Sequence, residues 1–339
     1  MNYRQYMQQE RHRPPTKGFK CSEDIEKYDD NLTAVIFKCN LPPIKHLNHG
    51  VILEFNCREP SCGALEGDEK GVELTDEDFA VDPNFFDEGY NLAGSTGFKV
   101  WTGSRLLLEA LTWPQSETDC ERLREIQHSI KNGNGGTPLH IIELGAGVGT
   151  VGTYLASLGA HVLLTDLPTL VENAIEANLE RNEKILGTYN DDLCPTPTWL
   201  ENGRRIGMGY ADSTPLDWTK PIEEQLTEEQ GSTIDIILAS DVVFLASMMK
   251  SLFGTVATLF KTSRQKNPSL ILSFQKRDAL DQDSLSFTTV DGVIAAVKER
   301  GWTIDCLAWR TVAVRKEDIN GVVRDDESEV FVFEIKDKS

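Results

Sequence analysis

A glycine-rich run between two predicted elements carries the residues best suited to chemistry. Residues 140–151 begin as an apolar stretch, pass through Gly145, Gly147 and Gly149, and continue into a helical pattern. Glycine has no Cβ, so such a loop can turn sharply and approach a ligand closely, and the next helix offers its N-terminal amides. We predict a ligand cradle between a strand and a helix, with a purely structural glycine turn as the alternative.

The spacing around these glycines indicates the kind of ligand. A dinucleotide-binding motif would have a glycine at its sixth position, but counting from Gly145 that position is Thr150. A P-loop would have a Lys-Ser/Thr pair after the glycines, and no such pair follows. Glu143 stands two residues before the first glycine, and E-x-G-x-G-x-G is the form used for S-adenosylmethionine. The sequence therefore predicts this cofactor, with its amino-acid moiety where a pyrophosphate would lie.

The next predicted strand ends at Asp166, 21 residues after Gly145. Ligands bind outside the carboxyl ends of strands in an open parallel sheet, and a carboxylate can accept hydrogen bonds from both hydroxyls of a ribose. We expect Asp166 to bind a ribose. The alternative is a helix cap before Pro168, because aspartate is favoured at that position, and both roles can hold together.

Two later strand ends carry further candidates. Trp218 lies in a polar loop, where its ring suits stacking on adenine, with packing on the core as the alternative. Asp241 and Phe244 follow the fourth strand, where a carboxylate can orient an acceptor amine and an aromatic face can attract a cation. The alternative for Asp241 is a cap on the helix predicted from Leu245. The Asn-Pro-Pro-Tyr type of motif, expected for methylation of a base amine, is absent.

The elements that must position these residues follow an α/β pattern. From about residue 139, short apolar runs alternate with amphipathic stretches, which predicts parallel strands joined by helices. Only a polar turn separates the last two strands, which predicts an antiparallel pair. The seven predicted strands are 139–144, 161–165, 205–210, 234–240, 270–274, 303–309 and 329–335, and helices are predicted from about 150 and at 168–184, 245–262 and 290–300.

The N-terminal part of the chain differs. Residues 1–30 are polar and patternless, which indicates a mobile segment. Two β-rich runs at 33–38 and 50–56 predict a hairpin. Residues 59–88 contain eleven acidic residues and one basic residue, which predicts a solvated acidic connector. We expect an N-terminal extension over residues 1–96 and a catalytic domain over residues 97–339.

These motifs resemble the seven-β-strand protein methyltransferases, specifically their lysine-directed branch. The resemblance covers about residues 97–336 and rests on segments 100–101, 143–149, 165–168, 216–218, 239–244 and 272–277. It implies an α/β, Rossmann-like seven-stranded sheet, mostly parallel with an antiparallel C-terminal hairpin, and S-adenosylmethionine as cofactor. The expected cofactor contacts are Trp101, Glu143, Gly145, Ala146, Gly147, Asp166, Trp218 and Ser240, and the residues expected to face the acceptor are Asp241 and Phe244.

Two residues depart from this family's pattern. Phe244 stands where the family more often has tyrosine, so that position offers no hydroxyl. Thr219 follows Trp218 where the family usually has glycine, which affects the loop expected to hold adenine. Residues 1–96 have no counterpart in the resemblance.

Composition limits the partners. The chain has 34 Lys+Arg against 54 Asp+Glu, a net charge of −20 that repels phosphate backbones, so we expect no nucleic-acid partner. Its seven cysteines lack metal-ligand spacing, which indicates reduced thiols and no metal. There is no apolar signal segment, and Asp235 and Asp241 interrupt the longest apolar run, so we expect no membrane association. We expect a cytoplasmic monomer, with the nucleus as the second location.

The predicted reaction is methyl transfer from S-adenosylmethionine to a nitrogen of a protein, first of all a lysine side chain. Histidine or another nitrogen stays open as the acceptor, and the sequence does not name the substrate protein. A nicotinamide-dependent oxidoreductase is a second function class, disfavoured by Thr150 at the sixth glycine position. A catalytically silent binding module, with the acidic N-terminal region as its surface, is the third.

Overall fold

The computed structural model describes residues 20–29, 32–40, 52–57, 72–74, 97–98, 100–112, 120–133, 135–186, 196–243, 246–265, 267–276, 288–317 and 323–338. A mixed sheet lies at the centre of this part of the chain. Its strands are β4 (Val72–Leu74), β5 (His140–Leu144), β6 (His161–Asp166), β7 (Arg204–Ile206), β8 (Gly209–Pro215), β9 (Ile236–Ser240), β10 (Ser269–Gln275), β11 (Thr303–Glu317) and β12 (Val323–Lys336). Across the sheet they follow the order β4-β11-β12-β10-β9-β5-β6-β8-β7.

The pairing confirms the predicted fold class. Strands β10, β9, β5, β6 and β8 are parallel neighbours, whereas β12 is antiparallel to both β10 and β11. The predicted number of seven strands was wrong, because the described residues form eight strands between 140 and 336 and β4 adds a short parallel pairing with β11. The run predicted as one strand at 205–210 is a hairpin: Ile206 pairs with Gly209 across a two-residue turn that Gly207 makes possible with a φ of 61°.

Helices connect and cover these strands. They are α1 (Thr102–Thr112), α2 (Glu121–Asn132), α3 (Thr150–Leu158), α4 (Pro168–Leu170), α5 (Glu176–Leu186), α6 (Glu228–Ser232), α7 (Ala246–Thr262) and α8 (Val290–Glu299), with a π-helical turn at Val171–Ile175 and a 3₁₀ turn at Ile222–Glu224. The four predicted helical regions are all helical within the described residues. None of the described helices combines the length and the apolar character needed to cross a bilayer.

The apolar strands form two buried clusters, one on each face of the sheet. Ile141, Ile236 and Leu238 belong to the first cluster, together with side chains of α1, α2, α3 and α5. Ile142 and Ile237 belong to the second cluster, together with side chains of α7 and α8. Successive residues of a strand point to opposite faces, so a continuously apolar strand supplies both clusters. Full burial of each such side chain stabilises the fold by about 1.5–3 kcal/mol.

A second, three-stranded sheet contains β1 (Lys20–Asp29), β2 (Leu32–Asn40) and β3 (Ile52–Cys57) in that order. The antiparallel pairing of β2 with β3 confirms the predicted hairpin. Within the segment predicted to be mobile, Lys20–Asp29 forms a strand through main-chain pairing with β2, without any apolar alternation in its sequence. The rest of that segment lies outside the described residues, as does most of the predicted acidic connector around β4.

Strand β3 is packed against the rest of the fold. Leu53 and Phe55 are fully buried and Cys57 is 3% exposed, and all three side chains belong to the first apolar cluster. The alternate residues of β3 are more exposed, as expected of a strand with one face on a core. The N-terminal sheet is therefore anchored to the larger unit through β3.

Candidate functional site

A cavity of about 460 Å³ opens where the carboxyl ends of β5, β6, β8 and β9 meet. The chain proceeds from β5 to β6 on one side of the sheet and later adds β9 on the other side, so the strand order reverses beside β5. Ligands of open α/β sheets bind at such a reversal. The lining residues are Gly97, Trp101, Gly145, Gly147, Asp166, Leu167, Leu170, Leu216, Asp217, Trp218, Thr219, Ser240, Asp241, Val242, Ser247, Met248 and Ser251.

Residues 145–149, the glycine loop between β5 and α3, form one wall of this cavity. Gly145 and Gly147 have φ angles of 70° and 58°, a left-handed conformation that side chains disfavour. A Cβ at Gly145 would lie 2.6 Å from Val242 Cγ1 and 3.2 Å from the indole of Trp218, so a side chain there would displace the opposite wall. The backbone is held at the end of β6, because the N–H groups of Gly145 and Ala146 both donate to the Thr165 carbonyl, at 2.9 and 3.0 Å.

Asp166 fixes the same loop from the side. Its Oδ2 accepts the N–H of Gly147 at 2.8 Å and its Oδ1 accepts the N–H of Leu167 at 2.7 Å. Burial raises the pKa of Asp166 to about 6, although both hydrogen bonds act in the opposite direction. The N-cap of α4 is Leu167 and has no side-chain cap, so Asp166 does not cap that helix. A carboxylate has about four acceptor sites, which leaves capacity for ligand hydroxyls.

Glu143 lies beneath the loop and does not line the cavity; Ala146 is likewise absent from the lining formed by the described residues. Glu143 is fully buried, and its Oε2 accepts the N–H of Gly152 in the first turn of α3 at 2.8 Å. Burial raises the pKa of Glu143 to about 8, the charge of Asp166 adds to that rise, and the hydrogen bonds from Gly152 and Ser240 oppose it. Glu143 thus holds the helix that follows the cradle.

Trp218 forms a flat part of the wall opposite the glycine loop. It also packs on the second apolar cluster, so the core and cavity interpretations of this residue are compatible. Its Nε1 is buried without a hydrogen-bond partner among the described residues. Thr219 closes the loop, because its N–H and its hydroxyl both donate to Asp217 Oδ1, at 2.9 and 2.6 Å. Threonine therefore forms a local turn at the position where glycine was expected.

Asp241 joins three elements at the end of β9. It is 4% exposed, its Oδ2 accepts the N–H of Gly103 in α1 at 3.1 Å, and its Oδ1 accepts the N–H of Gln275 in β10 at 3.2 Å. These hydrogen bonds tie it to α1 and β10. The alternative, a cap on the helix predicted from Leu245, involves positions outside the described residues. The Asp241 φ of 58° is unusual for a residue other than glycine and is strained by about 1–2 kcal/mol. The two hydrogen bonds offset this strain.

Ser240 and Trp101 complete the wall near α1. The hydroxyl of Ser104 donates to Ser240 Oγ at 3.0 Å, and Ser240 Oγ donates to Glu143 Oε1 at 3.5 Å. Trp101 precedes α1, and its carbonyl accepts the N–H of Arg105 at 3.1 Å. The contacts from Ser104 through Ser240 to Glu143 therefore connect the start of α1 with the carboxyl group under the glycine loop.

The structure also adds residues that sequence reasoning missed. Leu167 and Leu170 line the cavity beside Asp166, and Ser247, Met248 and Ser251 line it from the first turns of α7. Ser247 and Ser251 are four residues apart, a spacing that puts two side chains on the same face of a helix. This spacing, shortly after segment 239–244, could have identified them from the sequence. Phe244 lies outside the described residues. Among the described residues, no group of three or more His, Cys, Asp or Glu is arranged to hold a metal ion.

A family model described as lysine methyltransferase matches residues 88–291. Protein-lysine methyltransferase METTL21E of Bos taurus is 30% identical over 154 residues, which cover 45% of this chain and 43% of that protein. Protein N-lysine methyltransferase METTL21A of Xenopus tropicalis is 28% identical over 191 residues, covering 55% and 72%. The chain spans a little under half the length of the first of these relatives.

Among solved structures, magnesium protoporphyrin IX methyltransferase from Synechocystis, with bound SAM, is 17% identical with a TM-score of 0.34, over 59% of this chain and 71% of that one. N-methyltransferase NodS from Bradyrhizobium japonicum, in complex with S-adenosyl-L-homocysteine, is 14% identical with a TM-score of 0.36, over 69% and 96%.

Proposed function

The chain belongs to the lysine methyltransferase family, whose model matches more than half of it, and we propose that it methylates a lysine side chain of a protein. The cofactor is S-adenosylmethionine, which supplies an electrophilic methyl group on a sulfonium sulfur and would leave as S-adenosylhomocysteine when its carbon–sulfur bond breaks. The acceptor assignment follows the activities for which relatives that are 28–30% identical are named.

The described residues fit this cofactor. A cavity of about 460 Å³ is of the size that ligand sites have. Gly145 and Gly147 leave space for the amino-acid moiety where a Cβ would intrude. Asp166 offers acceptor capacity for ribose hydroxyls, and Trp218 offers a ring face for adenine together with a buried indole N–H that lacks a partner among the described residues. In this proposal Glu143 and Ala146 support the cradle from outside the cavity, and Trp101 and Ser240 line it.

The observation that carries the proposal is the shared cavity of the glycine loop, Asp166 and Asp241. One site thereby combines a cradle suited to the cofactor with a fixed carboxylate suited to an acceptor amine. Phe244 stays a proposed acceptor-facing residue on the strength of the sequence motif alone.

Asp241 would orient the acceptor. Two backbone N–H groups hold its carboxylate in place, so the carboxylate can attract and align an ammonium group without moving. Deprotonation of a free lysine at neutral pH costs about 4.6 kcal/mol, and burial of the amine lowers its pKa and this cost. In this proposal the acceptor amine loses its proton to water before its nitrogen attacks the methyl carbon. The protein contributes by aligning the reacting atoms at about 3–3.5 Å.

Labelled methyl transfer tests the proposal. The full chain is incubated with S-adenosylmethionine carrying a labelled methyl group and with a cell extract, and the labelled protein is digested and mapped by mass spectrometry. Label on lysine supports the proposal, label on histidine or another nitrogen overturns the acceptor assignment, and binding without transfer indicates a silent module. Calorimetry with S-adenosylmethionine and with NAD separates methyl transfer from hydride transfer.

The proposal includes a monomer acting on its protein substrate in the cytoplasm, without nucleic acid or membrane. A net charge of −20 suits a basic partner surface. Sedimentation of the purified chain measures its oligomeric state, and fractionation of cells measures its location. The division at residue 96 into an extension and a catalytic domain also stays a proposal, and limited proteolysis tests it.

A further inference from the structure

Two asparagines of α5 complete the outer edge of β3. Asn182 accepts the N–H of Glu54 at 2.9 Å and donates to the Glu54 carbonyl at 2.8 Å. Asn178 accepts the N–H of Asn56 at 2.8 Å, and its side-chain amide lies 3.4 Å from the Asn56 carbonyl. Each carboxamide therefore pairs with both main-chain groups of one residue, as a neighbouring strand would.

The spacing of the two elements permits this pairing. Asn178 and Asn182 are four residues apart on a helix, a rise of about 6 Å. Glu54 and Asn56 are two residues apart on a strand, a rise of about 6.6 Å, and both present their main chain to the same edge. Arg181 adds an ion pair with the Glu54 carboxylate at 3.1 Å. The N-terminal sheet is thus docked by directional contacts as well as by Leu53 and Phe55.

Asn178 makes one contact that Asn182 lacks among the described residues. Its side-chain amide donates to the carbonyl of Val148 at 2.9 Å, within the glycine loop, and Asn178 is fully buried. The matching amide of Asn182 donates instead to the carbonyl of Asn178, at 2.8 Å. A single carboxamide therefore contacts both the N-terminal strand and the cradle.

This contact fixes one peptide group of the loop at both ends. The peptide between Val148 and Gly149 donates its N–H to the Ala146 carbonyl at 2.8 Å, while its C=O accepts from Asn178. Val148 is 2% exposed, so its carbonyl cannot exchange Asn178 freely for water. Loss of the Asn178 donor leaves the Val148 carbonyl without this contact, so the peptide can tilt about its remaining N–H contact with Ala146, and the glycines beside it permit the movement.

We propose that Asn178 is a positioning residue that couples docking of the N-terminal strand to the shape of the cofactor cradle. The inference rests on the proposed function only in taking the glycine loop as that cradle. Coupling between two sites is reciprocal, so cofactor binding in turn strengthens the docking of β3. Residues far from the methyltransferase motifs thereby act on cofactor affinity.

The test compares Asn178→Ala with Asn182→Ala in the full chain. Both variants lose one pairing with β3, but only Asn178→Ala loses the donor to Val148. Calorimetry with S-adenosylhomocysteine is expected to show affinity weakened about fivefold or more by Asn178→Ala. Asn182→Ala is expected to weaken it less, because this variant loosens the docking of β3 but keeps the donor to Val148. Equal effects of the two variants, or no effect of Asn178→Ala, overturn the coupling.

Hydrogen exchange gives a second measurement that needs no ligand. The amides of Glu54 and Asn56 are expected to exchange faster in both variants, and those of Gly147 and Gly149 faster in Asn178→Ala only. If the wild-type chain does not bind S-adenosylhomocysteine, the proposed function fails, and the loop amides alone decide the positioning role. Equal exchange of these loop amides in both variants overturns it.

An isosteric pair gives a second comparison that leaves no cavity at the substituted position. Asn178→Asp keeps the acceptor for the Asn56 N–H but places an oxygen against the Val148 carbonyl, and Asn182→Asp introduces the same charge one turn away. The first is expected to weaken S-adenosylhomocysteine binding more than the second. The reverse order, or equal affinities, contradicts the proposal.

Discussion

The carboxylate of Asp241 accepts the backbone N–H of Gly103 at 3.1 Å, across 138 residues of sequence. This hydrogen bond places the first turn of α1 against the end of β9. A Cβ on Gly103 would lie 2.8 Å from that of Asp241, so only glycine permits the approach. The start of α1, with Trp101 before it, is thereby held at the cavity.

Replacement of Asp241 separates substrate alignment from cofactor binding. Asparagine tolerates a φ of 58° but must turn its NH₂ toward the N–H of Gly103 or of Gln275, so we expect Asp241→Asn to lower the melting temperature. Its affinity for S-adenosylhomocysteine should stay within a few-fold of the wild type. Methyl transfer should fall by about 100-fold or more, because the charge that aligns the amine is lost. Steady-state kinetics and calorimetry on one preparation measure both quantities. Near-normal methylation would show that Asp241 is structural, whereas collapse of cofactor affinity would assign it to the donor site.

An arginine at Gly147 is expected to block the cavity. The left-handed φ of Gly147 adds strain, and the long side chain would occupy the space assigned to the amino-acid moiety. Gly135→Arg is the matched control, because Gly135 has a similar φ of 63° and a Cβ added there would meet nothing within 4 Å. We expect Gly147→Arg to abolish detectable S-adenosylhomocysteine binding and Gly135→Arg to leave it unchanged. Equal binding by both variants would refute the cradle assignment.

Cofactor affinity is expected to depend on Asp166 and on pH. Because both carboxylate oxygens accept backbone N–H groups, Asp166→Asn must turn its NH₂ toward one of these donors. We expect affinity to weaken by about 1.5–3 kcal/mol. In the wild type, affinity should fall as the pH decreases through about 6, where burial places the pKa of Asp166 and the carboxyl gains a proton. Calorimetry between pH 5 and 8 measures this, and an identical pH profile in Asp166→Asn would exclude Asp166 as its source.

Glu143 is expected to make stability depend on pH. Burial raises its pKa from 4.5 to about 8, so the folded state retains a proton that the unfolded chain loses. Its contribution to the unfolding free energy is complete below about pH 4.5 and is lost as the pH rises through about 8. Glu143→Gln keeps an acceptor for Gly152 and cannot ionise, so it should remove this part of the dependence. Urea unfolding from pH 5 to 9 measures it, and parallel curves for the two proteins would contradict the assignment.

The sequence by itself determined the central sheet and the place of the site on it. Apolar runs alternating with amphipathic stretches require strands covered on both faces, and parallel strands bring their carboxyl ends to one edge. Asp166 ends a strand and Trp218 and Asp241 each follow one, so their meeting at one cavity follows from local pattern and topology. The hairpin at Gly207 was missed because a two-residue turn inside a short β-rich run resembles a continuous strand.

Only the tertiary structure decided which atoms hold these residues. Asp241 contacts Gly103 and Gln275, Glu143 holds α3 from beneath the loop instead of lining the cavity, and β3 docks on α5 122–128 residues away. Such contacts join segments whose local patterns carry no information about each other. They form because buried polar groups must find partners once the apolar faces have packed, and the partner depends on which elements that packing brings within hydrogen-bond distance.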